Sequence, residues 1–266
     1  MTSSLTTSAD ALLICETTDG VATLTLNRPG QFNALSSALI DEMQSMLIRA
    51  ATDPGIRVVV LAARGRGFCA GHDLKEIRAM ADVAEVEALF ARCSRMMMTL
   101  TRLPQPVIAK VHGLATAAGC QLVASCDLAV ASAAATFATP GVNIGAFCAT
   151  PSVALGRAVG RMHAMEMLLT GDMISAEEAK RIGLINQVVA PGTERDEAIA
   201  LARRIAAKST ATVKIGKQAF YAQLEMPLAE AYRHASAVMV ENMMLRDSAE
   251  GIGAFLDKRE PKWEDR

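Results

Sequence analysis

One stretch, Pro106 to Leu128 (PVIAKVHGLATAAGCQLVASCDL), restricts what this chain can fold into more than any other. Val107 to Val111 is a short apolar run that stops at His112-Gly113, passes through small residues from Ala115 to Gly119, and enters an apolar segment of helical spacing. That order reads as buried strand, tight elbow, helix. Small side chains at the elbow let a ligand approach the backbone, and the first amides of the helix lack intrahelical acceptors, so they are free to hold developing negative charge. A second stretch, Arg64 to Ile77 (RGRGFCAGHDLKEI), brings a Gly-rich loop that exposes another N–H around His72 before a helix starts near Asp73. Two elbows offering one N–H each can form an oxyanion hole.

The rest of the chain supplies an alternating frame for these elbows. Leu12 to Thr17 and Val21 to Leu26 flank Asp19-Gly20, a hairpin signal. Ser36 or Ser37 can cap a helix with Leu39, Ile40, Met43, Met46, Leu47 and Ala50 on one face, ending near Asp53-Pro54-Gly55. Ile56 to Ala62 is continuously apolar, as a buried parallel strand requires. A long amphipathic helix is predicted over 83–103, short strands at 128–131 and 136–138, and helices at 151–160, 163–169 and 175–182. Ser175 and Glu178 form a capping box for the last of these. Ile185 to Val189 reads as the final strand.

From Thr193 onward the pattern is helical only, at about 193–208, 210–223, 227–246 and 248–257. Its stripe of Ala237, Val238, Val240, Met243 and Met244 suits packing against another subunit. Three regions are therefore expected: a flexible start (1–10), an α/β core (11–192) and a helical oligomerisation region (193–266).

Composition sets the limits on partners and compartment. Of 266 residues 51% are hydrophobic and only 4% aromatic, so the core is built from aliphatic residues, alanine and methionine. The run Met96-Met97-Met98 fits packing. With 27 basic against 28 acidic residues, nothing favours nucleic acid or a membrane surface as partner. Six cysteines without a C-x-x-C pair read as buried thiols in a reducing compartment, and four histidines without ligand spacing give no metal site. The Ser/Thr-rich first ten residues lack the features of a signal or transit peptide, and no apolar run reaches membrane-spanning length. A cytoplasmic protein is expected.

The loop FCAGHDLKE and the segment from His112 to Asp127 resemble the two oxyanion loops of the crotonase, or enoyl-CoA hydratase/isomerase, superfamily. LNRPGQFNAL, FATPGVNIG, LTGDMISAEEAKRIGLINQVV and EGIGAFLDKREPKW resemble further motifs of that family in the same order. The resemblance implies a crotonase (ClpP-like) spiral of ββα units with C-terminal helices, assembled as a homotrimer or as a hexamer of paired trimers. It implies an acyl-CoA thioester as substrate, whose enolate-like intermediate is stabilised by the backbone N–H groups of His72 and Ala118. Coenzyme A then enters as part of the substrate, and no separate cofactor is implied. Arg28, Ala70, Lys75, Phe255 and Lys258 match the positions that contact CoA, the last two reaching a neighbouring subunit's ligand.

The departures from the pattern matter equally. Two glutamates position and activate water in the family's hydratases, and the matching positions here hold Gln121 and Gly141. Glutamine hydrogen-bonds water but does not take its proton near neutral pH, and glycine has no side chain. Phe137 to Ser152 offers no replacement acid. Gln121 reads either as a structural amide at a helix start or as a water-orienting residue. The His72 side chain reads either as an acid or base or as a solvated or N-cap group, His112 and His163 read as structural, and Cys120 and Cys148 read as nucleophiles or, with no histidine near them in sequence, as inert core thiols. Weak or altered hydratase chemistry follows, with a non-catalytic acyl-CoA binding or assembly subunit as the alternative.

Overall fold

A computed structural model of the chain describes residues 11–266; the expected flexible start, 1–10, lies outside them. Strands β1 (Leu13–Thr18) and β2 (Val21–Leu26) form an antiparallel hairpin. Asp19 and Gly20 turn it with positive φ (51° and 77°), which Asp-Gly tolerates and which matches the strand twist. The cap of α1 (Ser37–Thr52) is Ser36, whose hydroxyl accepts the Leu39 N–H at 3.3 Å. Such a cap contributes about 1 kcal/mol.

From there one unit recurs: a strand in a large sheet, a short strand in a second sheet, then helix. The first copy is β3 (Val58–Ala63), β4 (Gly67–Cys69), α2 (Leu74–Ala79) and α3 (Val83–Arg102). The second is β5 (Val107–Val111), β6 (Leu114–Thr116) and α4 (Ala118–Ala124). The third is β7 (Leu128–Ser132), β8 (Thr136–Ala138), α5 (Ala149–Ala158) and α6 (Arg161–Thr170). β9 (Ile174–Ser175), α7 (Ala176–Arg181) and β10 (Gln187–Val189) close the series. The large sheet runs β1-β2-β3-β5-β7-β10 and the small one β4-β6-β8-β9. This is the ββα spiral expected from the resemblance.

The small sheet was not legible in full, because β4 and β6 are three-residue strands inside Gly- and Ala-rich elbows with no apolar alternation. Their parallel pairing, Gly67 with Leu114 and Cys69 with Ala115, is what lays one elbow beside the other. The last strand is also shorter than expected, omitting Ile185 and Asn186.

All six residues of β3 are buried because both faces of the large sheet are covered. Val59 and Leu61 join the main core with Leu24, Val107 and Met43, whereas Val58 and Val60 join Val21, Ile108 and Val130 on the other face. Ala198 and Ala202 of α8 (Glu194–Ala206), both at 0% exposure, close that second face. The helix grouped by sequence with the oligomerisation region is therefore part of the sheet's own packing. Alanines at four-residue spacing let its backbone come close to the strands.

The remaining helices, α9 (Thr210–Leu224), α10 (Leu228–Met243) and α11 (Arg246–Leu256), contact one another and leave apolar side chains uncovered. Phe220, Leu228, Tyr232, Val240 and Met244 are all more than half exposed. α9 is tied to the core through Lys217, whose Nζ lies 2.7 Å from Asp127 Oδ2 and donates to the carbonyls of Leu100 and Gln105, each at 2.9 Å. Asp127 also accepts the Val107 N–H at 2.6 Å and the Tyr221 hydroxyl.

Candidate active site

The two elbows meet at Gly71 and Ala118. Leu35 N–H donates to Gly71 O (2.8 Å) and Asp73 N–H donates to Leu35 O (3.1 Å), so the residues on either side of His72 are joined to Leu35. In such a bridge the intervening amide faces the opposite way, which frees the His72 N–H. Ala118 is the first residue of α4, and its N–H has no intrahelical acceptor. A Cβ built on Gly71 would lie 3.3 Å from Ala118 N, so the residue before His72 and the first residue of α4 are close neighbours.

Close backbone approach holds this arrangement. A Cβ on Gly119 would stand 2.0 Å from Cys69 O, so only glycine lets α4 begin against the first loop. Ala117 precedes the helix at φ 50°, ψ −120°, a conformation that costs a non-glycine residue on the order of 1–3 kcal/mol. Its N–H is anchored on Ala138 O at 2.9 Å.

The LNRPGQFNAL segment buttresses the first loop. Asn33, 0% exposed, donates from Nδ2 to Arg64 O (2.8 Å) and Gly67 O (2.9 Å), and its Oδ1 accepts the Arg28 N–H (2.9 Å). Arg28 bonds Asp73 Oδ2 at 2.9 Å and Ala34 O. Arg28 thus differs from the free cation counted for CoA: its guanidinium is engaged inside the protein and clamps Asp73, which caps α2 through the Lys75 and Glu76 amides. That guanidinium holds the Asp73 carboxyl below the usual carboxylate range. Ala70 donates to Phe32 O at 3.0 Å and accepts from the Thr116 hydroxyl at 3.1 Å. Lys75 and Lys258 are exposed, and Phe255 is 83% exposed on α11.

The two positions expected from the resemblance to match the family's acids differ from each other. Gln121 is buried in the first turn of α4, and its Oε1 has no partner among the described residues. At Gly141 the space for a side chain is filled: a Cβ there would lie 2.1 Å from Ala146 O and 2.9 Å from Cys148 Sγ. Ala146 N–H donates back to Gly141 O at 3.0 Å, folding the loop onto that glycine. Burial pushes the Cys120 thiol up to about 12 and also raises Cys148, partly offset by the Gly141 N–H. Both thiols stay protonated at neutral pH, as inert thiols do. Thr139, 0% exposed and without a partner for its hydroxyl among the described residues, also lies here. No sequence pattern marked it.

The His72 ring is not solvated as expected but packs edge-on against Phe90, centroids 5.0 Å apart. Burial lowers its pKa, against an opposing effect of Glu76. His112 bonds Gly65 O through Nε2 at 2.9 Å and is also lowered, by burial first and then by Lys110, against the Gly65 carbonyl and Glu194. Both rings are neutral at pH 7. The unfolded chain takes up these protons near its ordinary pKa of about 6.5, whereas the folded chain does so only at lower pH. Stability is therefore flat above that value and falls as pH drops below it. Urea-unfolding midpoints should hold from pH 8 to 7 and decline from 6.5 to 5.5, less steeply in His72→Phe. A midpoint that rises on acidification would contradict this.

Comparison with known proteins gives the family. The profile of the family described as enoyl-CoA hydratase/isomerase matches residues 16–266. The chain is 48% identical to enoyl-CoA hydratase domain-containing protein 3, mitochondrial, of Rattus norvegicus, over 92% of this chain and 82% of the relative. A crystal structure of enoyl-CoA hydratase from Mycobacterium smegmatis superposes with TM-score 0.94 at 52% identity, covering 96% of this chain and 99% of that one. The structure of human enoyl Coenzyme A hydratase domain-containing protein 3 gives 0.92 at 47%, covering 95% and 100%. The chain belongs to the enoyl-CoA hydratase/isomerase family, the crotonase superfamily, and within it to the subgroup of enoyl-CoA hydratase domain-containing protein 3.

Proposed function

We propose that this protein binds an acyl-CoA thioester and stabilises an enolate-like intermediate at its carbonyl, through the backbone N–H groups of His72 and Ala118. The observation that carries this reading is the close approach of Gly71, the residue before His72, to the Ala118 amide. One such donor is worth about 2.7–4 kcal/mol of barrier in other enzymes. Gln121 and Gly141 cannot supply the proton transfer of water addition, so classical hydration is weak or replaced by another enolate reaction. A non-catalytic acyl-CoA binding or assembly subunit is the second reading, favoured by the filled space at Gly141. Incubation with enoyl-, 3-hydroxyacyl- and malonyl-type CoA thioesters separates the two: product formation supports the enzyme, and saturable binding without product supports the binder.

In this reading CoA is the only cofactor-like group and is part of the substrate. Lys75 faces its phosphates, with Ala70 beside it, while Phe255 and Lys258 reach the ligand of a neighbouring subunit. Lys75→Ala and Lys258→Ala should each weaken CoA binding by about 1 kcal/mol and lower its salt dependence. Unchanged affinity in both would remove them from the site. The exposed apolar faces of α9 to α11 support a trimer or paired trimers, and a monomer at micromolar concentration by sedimentation would refute it. Six free, buried thiols support a reducing compartment, the cytoplasm in this reading. The rat relative carries "mitochondrial" in its name. Among the described residues no helix is long and apolar enough to cross a membrane.

A further inference from the structure

Helix α11 is held by polar ties rather than by apolar burial. Among the described residues it buries only Asp247 and Ala254, while Ile252, Phe255 and Leu256 are more than half exposed. α1, by comparison, buries six apolar side chains. One alanine is too little to seat a helix of about three turns, since burial contributes about 25 cal/mol per Å². The ties come from the segment that follows. At Lys258 the backbone turns through the left-handed region (φ 54°), Arg259 N–H donates to Ala254 O at 2.9 Å, and residues 259–266 run back along the helix.

Each step of that return is bonded. Glu250 accepts from both terminal nitrogens of Arg259, at 2.7 and 2.9 Å, and from the Lys262 N–H at 2.7 Å. Trp263 lies over Gly251, where a Cβ would stand 3.2 Å from the ring, and its Nε1 donates to Ala207 O, just past α8, at 3.0 Å. Asp247, 2% exposed, accepts the Glu264 and Asp265 N–H groups at 2.7 and 3.0 Å and the Ser209 hydroxyl. Its own N–H donates to Arg266 O at 3.0 Å. Asp265 accepts the N–H of Thr210, the first residue of α9, at 2.7 Å, and Arg57 Nη2 at 3.3 Å. Bonds to an ionised carboxylate are the stronger kind, and Asp247 gathers three in one place. Resting on the acyl-CoA reading, we infer that residues 259–266 form a clasp that seats α11, with Asp247 and Trp263 as positioning residues for Phe255 and Lys258. Phe255 stands in the last turn of α11 and Lys258 at the turn that begins the clasp, so unseating the helix moves both. The attraction of Lys258 for a CoA phosphate falls with distance and is lost when the turn shifts.

Titration of the full chain with butyryl-CoA and with butyryl-pantetheine, which lacks the nucleotide and its phosphates, tests this. Trp263 is the single tryptophan of the chain, so its fluorescence reports whether the clasp is seated. Asp247→Asn turns a donor toward the Glu264 and Asp265 amides, and the emission should shift to the red and open to acrylamide quenching. Asp247→Asn and Trp263→Leu should each weaken butyryl-CoA about fivefold, the loss expected of Lys258→Ala, and leave butyryl-pantetheine within about twofold of wild type. Adding Lys258→Ala to either should bring no further loss, because both remove the same contact. Unshifted emission in Asp247→Asn would overturn the clasp, and so would a red shift with wild-type butyryl-CoA affinity. Equal losses for the two ligands, or losses that multiply with Lys258→Ala, would also overturn it, since they mark a segment serving the fold alone. Wild-type affinity in Lys258→Ala would remove the group being positioned. Failure of the wild type to bind butyryl-CoA at all would instead overturn the acyl-CoA reading, and the role of the clasp with it.

Discussion

Crotonyl-CoA is expected to be hydrated by this protein at least about 10²-fold, and up to about 10⁴-fold, more slowly than by a family member with both glutamates. The two acids act on one water, so their losses overlap rather than multiply. In the proposed reading the oxyanion donors remain, and they alone do not deprotonate water. The structure also predicts that the obvious repair fails. Gln121→Glu is sterically simple, since the side chain already occupies its place in α4. Gly141→Glu is not, because its Cβ would lie 2.1 Å from Ala146 O and 2.9 Å from Cys148 Sγ. Forcing the loop from 145 to 148 outward should cost about 1–3 kcal/mol, as overpacking does. The double variant should therefore melt below the wild type and gain no hydration. A double variant with wild-type melting temperature and a clear gain in crotonyl-CoA hydration would show that the loop yields freely, and an ordinary hydration rate in the wild type would remove the argument from the missing acids.

Lys217→Met should destabilise the fold by about 3–5 kcal/mol, the usual cost of removing one partner from a buried ion pair. The side chains of Lys217 and Asp127 are only 6% and 16% exposed, and their nitrogen and oxygen are 2.7 Å apart. Burial lowers the Lys217 pKa, and Asp127 opposes that shift. Methionine keeps most of the packing, so the loss isolates the stranded Asp127 carboxylate and the unpaired Leu100 and Gln105 carbonyls. Combining it with Asp127→Asn should recover part of the loss, because the amide is neutral and still accepts the Val107 N–H. Denaturant unfolding of the four proteins gives the coupling directly. A loss below about 1 kcal/mol for the single variant would show that α9 is held by apolar contacts alone, with the ion pair contributing little.

The hairpin, α1, the buried strands β3 and β5, the long α3 and the order of strands and helices were legible because each rests on local periodicity and turn chemistry. Asp19-Gly20 turns where its dihedrals allow, and Ser36 caps where its hydroxyl reaches an amide. That neither Gln121 nor Gly141 carries a carboxylate is also a property of the sequence and holds in any conformation. What lay beyond local pattern was decided by contacts between distant segments. β4 and β6 are strands only because they pair with each other. Arg28 reads as a free cation until Asp73, 45 residues away, takes it. The helix 194–206 reads like the helices after it until the second face of the sheet claims its alanines.

The sequence by itself determined which residues stand in the two elbows, that Gln121 and Gly141 carry no acid, and a family signature spread along its length. Only the tertiary structure decided how those parts act together. It brought Gly71, next to His72, close to the Ala118 amide, closed the room at Gly141 with a backbone carbonyl, and buried Gln121 in the first turn of α4. The physical reason is that identity and spacing limit which bonds a residue can make. Which bonds form depends on long-range packing, where a few tenths of an ångström between a glycine and a distant carbonyl decide what fits.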